Sequence, residues 1–237
     1  MKKLPLSIII PTFNEEKYLP RLLLSIQKQS QQPAEVIVAD AYSLDRTRKI
    51  AKKFGCKVVA GGLPGKARNN GAKAASQKLL LFLDADVVLP ASFLEETVEE
   101  MVERDLAIAS CYVKPISRDK RDILLHKVVN YYLRVTRKFH PHIPGFCIFI
   151  YKELHELIGG FDESLVMAED HDYVRRAKKR GRFSYLTCYK IPVSVRRLVG
   201  EGRLKIAAKY IAIELHLLFI GQIRKNIFRY EYSRHLS

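Results

Sequence analysis

Two hydrophobic rhythms alternate over the first ninety residues. Leu6-Ser7-Ile8-Ile9-Ile10 is a short apolar run stopped by Pro11, the pattern of a buried strand. Residues 15–29 instead space Leu19, Leu22, Leu23 and Ile26 three or four apart, which lines one face of an amphipathic helix. The alternation continues through 35–39 (strand), 46–54 (helix), 57–60 (strand), 66–76 (helix) and 79–83 (strand). Strands separated by helical crossovers predict an α/β fold: a mostly parallel central sheet with helices on both faces. Ligands of such sheets sit at the carboxyl ends of the strands. Those ends read Pro11-Thr12-Phe13-Asn14-Glu15, Asp40 to Asp45, Gly61 to Gly65 and Asp84-Ala85-Asp86, and three of the four are acidic or polar.

Past residue 86 the pattern loosens. Ser92 with Glu95 three residues on reads as a capping box opening a helix to about residue 104. Residues 106–113 read as a strand, and 121–139 as a long helix with Leu124, Leu125, Val128, Val129 and Tyr132 on one side. A strand at 146–151 and a helix at 152–157 follow. Gly159-Gly160-Phe161-Asp162 then turns the chain toward Ala168-Glu169-Asp170-His171-Asp172 and a basic helix ending at Gly181. There is no internal repeat and no low-complexity tract. The expected organisation is a catalytic-type domain over 1–198, with halves at 1–86 and 87–198, and a basic amphipathic helical extension over 199–237.

Charge changes the picture. The 237 residues carry a net charge of +16. From residue 175 onward sixteen Lys and Arg face only Glu201, Glu214 and Glu231, so most of the excess lies in the last quarter. Such asymmetry points to a polyanionic partner: a membrane surface, nucleic acid or phosphates. Residues 204–230 interleave Ile206, Tyr210, Ile213, Leu217, Ile220 and Phe228 with Lys205, Lys209, Arg224, Lys225 and Arg229. That composition suits a helix or helix pair on anionic lipid, or equally a helix packed on the core with its basic side in water. The best transmembrane candidate, 210–223, is too short and carries Glu214 and His216. Met1-Lys2-Lys3-Leu4-Pro5 leads straight into a strand rather than a signal-peptide apolar region. A cytoplasmic protein, peripheral on the inner face of the cell membrane, is the expectation. With 48% hydrophobic and 28% charged residues, wholesale disorder is excluded. Cys56, Cys111, Cys147 and Cys188 lack C-x-x-C spacing, which excludes a zinc ribbon and leaves buried thiols as the expectation.

Several short patterns can carry chemistry. Asp84 and Asp86 are two apart in extended chain, so both carboxylates can face one hard cation, Mn²⁺ or Mg²⁺; the plainer reading has Asp86 capping the next turn. Gly61-Gly62-Leu63-Pro64-Gly65 followed by Lys66 and Arg68 fails the Walker pattern, because Ala60 and Ala67 occupy required positions, but a helix opening with two cations still suits an anion. Glu169 and Asp170 complement a helix N-terminus, and one of them can serve as a general base. Arg196 and Arg197 can neutralise phosphate, or form a solvated basic turn.

Taken together, these segments resemble family-2 glycosyltransferases of the GT-A fold over roughly residues 6–197. The resemblance rests on Ser7 to Glu16, the Asp40…Asp45 loop, Lys66-Ala67-Arg68-Asn69, Asp84-Ala85-Asp86, and Gly159-Gly160-Phe161-Asp162 with Glu169-Asp170. It implies that Pro11, Thr12, Glu15 and Asp40 border the nucleotide base and ribose, with Lys66, Arg68, Arg196 and Arg197 around the rest of the nucleotide. Asp84 and Asp86 would manage the metal on the diphosphate, and Asp170 would be the base. The implied activity is inverting sugar transfer from a UDP- or GDP-sugar, with a lipid-linked acceptor suggested by the basic C-terminal quarter. Ala41 and Tyr42 depart from the family's small or acidic middle of the second loop, and a tyrosine is a poor occupant of positive φ. The Gln-x-x-Arg-Trp motif of processive synthases is absent, so single-sugar transfer is expected. A sugar nucleotidyltransferase would need a glycine-rich basic loop after the first strand, where Pro11 to Glu16 stands. No recognised nucleic-acid motif occurs, and no nucleic-acid partner is expected.

Overall fold

The computed structural model describes residues 3–228, so Arg229, Tyr230 and the end of the expected 199–237 extension lie outside the described residues. In chain order the strands are β1 (Leu4–Thr12), β2 (Pro33–Asp40), β3 (Lys57–Ala60), β4 (Leu79–Leu83), β5 (Ile108–Pro115), β6 (Cys147–Tyr151) and β7 (Phe183–Val193). They form one sheet in the order β3-β2-β1-β4-β6-β5-β7. The first four are mutually parallel, β6 runs antiparallel between β4 and β5, and β7 lies parallel to β5 at the edge. The helices are α1 (Leu19–Gln27), α2 (Thr47–Lys53), α3 (Pro64–Ala74), α4 (Phe93–Glu103), α5 (Lys120–Thr136), α6 (Lys152–Leu157), α7 (Glu169–Lys178), α8 (Arg196–Glu201) and α9 (Arg203–Phe219).

Apolar residues on both faces of each central strand explain the two-sided cover. Successive strand residues point to opposite faces. Leu6, Ile8, Ile10, Leu79, Leu81 and Leu83 pack with the apolar sides of α1 and α4. Ile9, Leu80 and Phe82 point the other way, onto Ala72 of α3, Leu154 of α6 and Tyr173, Val174 and Ala177 of α7. Gly71 brings α3 close to the sheet, since a Cβ there would stand 2.3 Å from Ile9 Cγ2. The mostly parallel sheet with helices on both faces is thus as expected.

Local differences have local causes. Pro11 does not end β1; it pairs with Ala39 beyond the point where the β4 ladder stops at Ile9, so its missing N–H is tolerated. α1 starts at Leu19 rather than Glu15, with Pro20 in its first turn, because the Glu15 and Glu16 amides donate to Thr47 Oγ1 and Asp45 Oδ2. Ser92 takes a left-handed conformation and makes no side-chain cap; Glu95 instead accepts from Ser30 Oγ and Gln31 Nε2, both at 2.6 Å. β7 and α8 have no counterpart in the sequence reading. Cys56, Cys111 and Cys147 are buried as expected, but Cys188 is exposed.

α5 and α9 lie side by side. Arg203 bonds Asp122 at 2.6 Å and Asp119 at 2.9 Å near the start of both, and Tyr132 Oη donates to Glu214 Oε2 at 3.3 Å further along. Ile213 and Leu217 of α9 pack with Met167 and Ile223, anchoring the helix beside the start of α7. The reading of the C-terminal stretch as a helix packed on the core therefore holds in part. One side of α9 is docked, while Leu204, Ile211, Leu215 and Leu218 are exposed. The apolar side of α5 is exposed as well, at Leu124, Val128, Tyr131 and Val135. No helix among the described residues is long and apolar enough to cross a membrane.

Candidate active site

The carboxyl ends of β1 and β2 are laced together by polar side chains. Asp40 is enclosed, accepting from Thr12 Oγ1 at 3.0 Å, Ser43 Oγ at 2.6 Å and the Ser43 amide at 3.0 Å. Asn14 Oδ1 accepts from the Leu44 amide at 2.9 Å, and Ser43 Oγ accepts from the Asn14 amide at 2.8 Å. Tyr42 adopts φ 61° despite its side chain, and its ring is 69% exposed at the loop tip. The loop therefore keeps its left-handed turn without glycine, held by the Asp40 and Asn14 bonds on either side.

Arg68, projecting from α3 and 3% exposed, joins the other strand ends. Its Nη1 donates to Glu169 Oε1 at 2.7 Å, and its Nη2 donates to Asp84 Oδ1 and to the Gly145 carbonyl, both at 3.1 Å. The guanidinium also lies 5.4 Å from the centre of the Phe161 ring. Gly145 is required by proximity: a Cβ there would sit 2.8 Å from Arg68 Nη2 and 3.2 Å from Asp170 Oδ2. Asp84, Glu169 and Asp170 are thereby gathered around one buried cation, although residues 84 and 170 are far apart in sequence. Burial raises the Asp170 carboxyl to about 6, with Asp84 adding to the shift and Arg68 and the His171 amide opposing it. Burial and then Asp170 push Glu169 up, while Arg68 pulls it back. A carboxylate poised near 6 is ionised at neutral pH yet more basic than an exposed aspartate, which suits proton abstraction.

Arg196, at the start of α8, ties the far end of the chain to this cleft. It grips Glu15 with two bonds at 2.9 and 3.1 Å, approaches Asp86 Oδ2 with its Nε at 3.2 Å, and stacks 4.4 Å from the centre of the Tyr18 ring. Burial raises Asp86 to about 6, opposed by Arg196 and reinforced by Asp84 and Glu15. A cleft of about 400 Å³ opens beside this clasp, lined by Tyr18, Asp86, Val88, Ile116, Arg196 and Val199. Lys66 is exposed on the first turn of α3, Pro11 sits in β1, and Arg197 is half-buried beside Arg196. The structure thus brings Arg68, Asp84 and Asp170 together, and separately Glu15, Asp86 and Arg196.

Residues 7–156 match the family described as Glycosyl transferase family 2. The chain belongs to that family. Poly(ribitol-phosphate) beta-N-acetylglucosaminyltransferase TarS of Staphylococcus aureus is 39% identical over 90 residues, covering 34% of this chain and 16% of that protein. Glycosyltransferase EpsJ of Bacillus subtilis is 26% identical over 185 residues, covering 70% of this chain and 54% of that protein. This family-2 chain therefore spans between 16% and 54% of the length of these two relatives. Among solved structures, TarS residues 1–349 in complex with UDP-GlcNAc superposes with a TM-score of 0.66 at 24% identity, covering 90% of this chain and 67% of that one. A mannosyltransferase from Pyrobaculum calidifontis in complex with GDP-Man and Mn²⁺ gives a TM-score of 0.69 at 23% identity, covering 88% and 61%. The fold of this family-2 chain is GT-A.

Sequence reading of this family-2 chain misses one contributor to the cleft and the partners of another, Arg196, which it places at the nucleotide. Gly145 carries no motif of its own, and Arg196 shows its partner only in space, 181 residues from Glu15. Glu169 was legible as an acidic helix start, but its ion pair with Arg68 spans 101 residues.

Proposed function

We propose that this chain moves one sugar from a UDP- or GDP-sugar to a hydroxyl of a lipid-linked or membrane-proximal acceptor, with inversion at the anomeric carbon. The observation that carries the proposal is the gathering of Asp84 and Asp170 around Arg68 at the carboxyl end of a GT-A sheet. Asp170 takes the proton of the acceptor hydroxyl. The hydroxyl oxygen bonds to the anomeric carbon as that carbon's bond to the nucleoside diphosphate breaks, and the leaving group departs with the electron pair. No covalent nucleophile is needed. TarS, a relative, has been solved with UDP-GlcNAc, and the Pyrobaculum enzyme with GDP-Man and Mn²⁺.

The donor set at the carboxylate pair fits a hard divalent cation. Asp84 engages Arg68 through Oδ1 and Asp86 engages Arg196 through Oδ2, so each carboxylate has a second oxygen besides the one that meets its arginine. When bound there, Mn²⁺ or Mg²⁺ neutralises charge on the diphosphate leaving group. The web around Asp40 keeps the β1 and β2 loops in place for the base and ribose. Thermal-shift titration of UDP, GDP and their sugars with Mn²⁺ tests the reading directly: a stabilisation of several degrees by one nucleotide family is expected, and none by any donor rejects it. Asp86→Ala is expected to weaken Mn²⁺-dependent nucleotide binding by about tenfold or more, the scale of one lost charge-assisted contact. An unchanged calorimetric titration would remove the metal role.

The parallel apolar stripes of α5 and α9 support a place on the inner face of the cell membrane. Exposed Leu124, Val128, Leu215 and Leu218 share α5 and α9 with exposed Lys127, Arg134 and Lys205, the combination that partitions into an anionic interface. The chain is expected to float with anionic vesicles at low salt. Each leucine side chain buried contributes about 1.5–3 kcal/mol, so Leu124→Asp with Leu215→Asp is expected to reduce binding by roughly 100-fold or more. Wild-type chain remaining with the vesicle-free fraction rules out the membrane placement.

A further inference from the structure

Behind Asp170, four segments converge on a cluster that sugar transfer does not use. His142 precedes β6, His171 lies on α7, Glu214 on α9 and Tyr132 on α5. His142 Nδ1 stands 3.1 Å from His171 Nδ1 and 3.3 Å from Glu214 Oε1, and the latter two atoms are 3.6 Å apart. The same three atoms close one triangle. Bonds of about 2.0–2.1 Å to a tetrahedral ion put ligand atoms roughly 3.3–3.4 Å apart, so the triangle has the dimensions of one tetrahedral face.

The surroundings of the triangle match those of a built metal site. The Nε2 of His142 faces Tyr132 Oη at 3.0 Å and His140 Nδ1 at 3.1 Å, partners that fix the ring and leave Nδ1 to the triangle. The Nε2 of His171 lies 3.8 Å from Asp170 Oδ1, an electrostatic neighbour beyond hydrogen-bond distance. Tyr185 Oη donates to the His142 carbonyl and holds its backbone. His140 brings a further nitrogen within 4.8 Å of ligand atoms of His142 and Glu214. Arg175, whose Nε donates to the His171 carbonyl at 3.2 Å, faces the cluster with a positive charge that Glu214 offsets.

We propose that His142, His171 and Glu214 form a second cation site, for a borderline-soft transition metal of the Zn²⁺ class, with His140 beside it. Two imidazoles and one carboxylate select such an ion over the hard cations suited to Asp84 and Asp86. The site adjoins Asp170 at His171 but does not depend on Asp170 being the base, so the two readings fail separately. Co²⁺ is the probe, titrated into the full chain in excess Mg²⁺ to occupy the carboxylate pair, with visible ligand-field absorption as readout. One equivalent with the intense bands of tetrahedral Co²⁺ is expected, displaced by Zn²⁺. Glu214→Gln and, separately, His171→Ala are expected to weaken binding by about 10–100-fold or more. Glu214 is partly exposed, so its variant tests the site with little risk to folding. Absence of stoichiometric Co²⁺ in the wild-type chain, or equal affinity in the Glu214→Gln variant, overturns the proposal and leaves a hydrogen-bonded histidine cluster.

Discussion

Asp170→Asn is expected to lower turnover by about 10²–10⁴-fold, the usual scale for losing a general base, while nucleotide affinity stays within about twofold. The amide preserves the shape beside Gly145, and Arg68 keeps both of its carboxylate bonds, to Glu169 and Asp84. What disappears is the proposed proton acceptor. Because burial raises Asp170 to about 6, the wild-type rate should rise with pH through that value and level off above it, as the carboxyl ionises. Asp86 titrates near the same value, so the acid limb of the wild type contains both groups. The variant should lose the part due to Asp170. Single-turnover transfer against pH, alongside calorimetric nucleotide binding, checks both halves; retained turnover in a folded variant rejects Asp170 as the base.

Arg68→Met should be the most destabilising single change in the cleft. Methionine fills much of the arginine stem but leaves buried Glu169 facing Asp170 without the guanidinium. Removing one partner of a buried ion pair costs about 3–5 kcal/mol. At about 2–4 °C per kcal/mol for a chain of this size, Tm should drop by roughly 6–20 °C. The sign of the pH effect follows from linkage. In the variant the folded-state carboxyls titrate even higher than in the unfolded chain, so folding takes up protons and stability is lost as pH rises through the raised values. The gap to wild type should therefore narrow on acidification. Thermal melts across the acid range measure it, and a pH-independent gap would mean that lost packing, not charge, sets the effect. Arg68→Lys should restore little, because one ammonium cannot span two carboxylates and a carbonyl.

Strand and helix alternation made the β1 to β4 half legible, because each element there is short, buried and bounded by turn residues. The same local signals missed β7, whose apolar residues are interrupted by Thr187, Cys188 and Lys190, and whose partner β5 begins 75 residues earlier. Asp84, Asp86 and Asp170 could be singled out because their motifs are contiguous. The role of Arg196 could not, since a basic pair reads as a solvated turn until Glu15 and Asp86 are seen beside it. The histidine cluster was equally hidden: His142, His171 and Glu214 come from three separate segments, and nothing in their spacing announces that they meet. The apolar side of α5 illustrates the opposite case, where periodicity was read correctly but did not reveal that the stripe faces outward.

The Arg196 clasp also bears on how the molecule is made. Glu15 and Asp86 are synthesised early, yet the guanidinium that holds them arrives 181 residues after Glu15. On the ribosome the nascent sheet must wait for that later segment to emerge before its acidic rim is clasped.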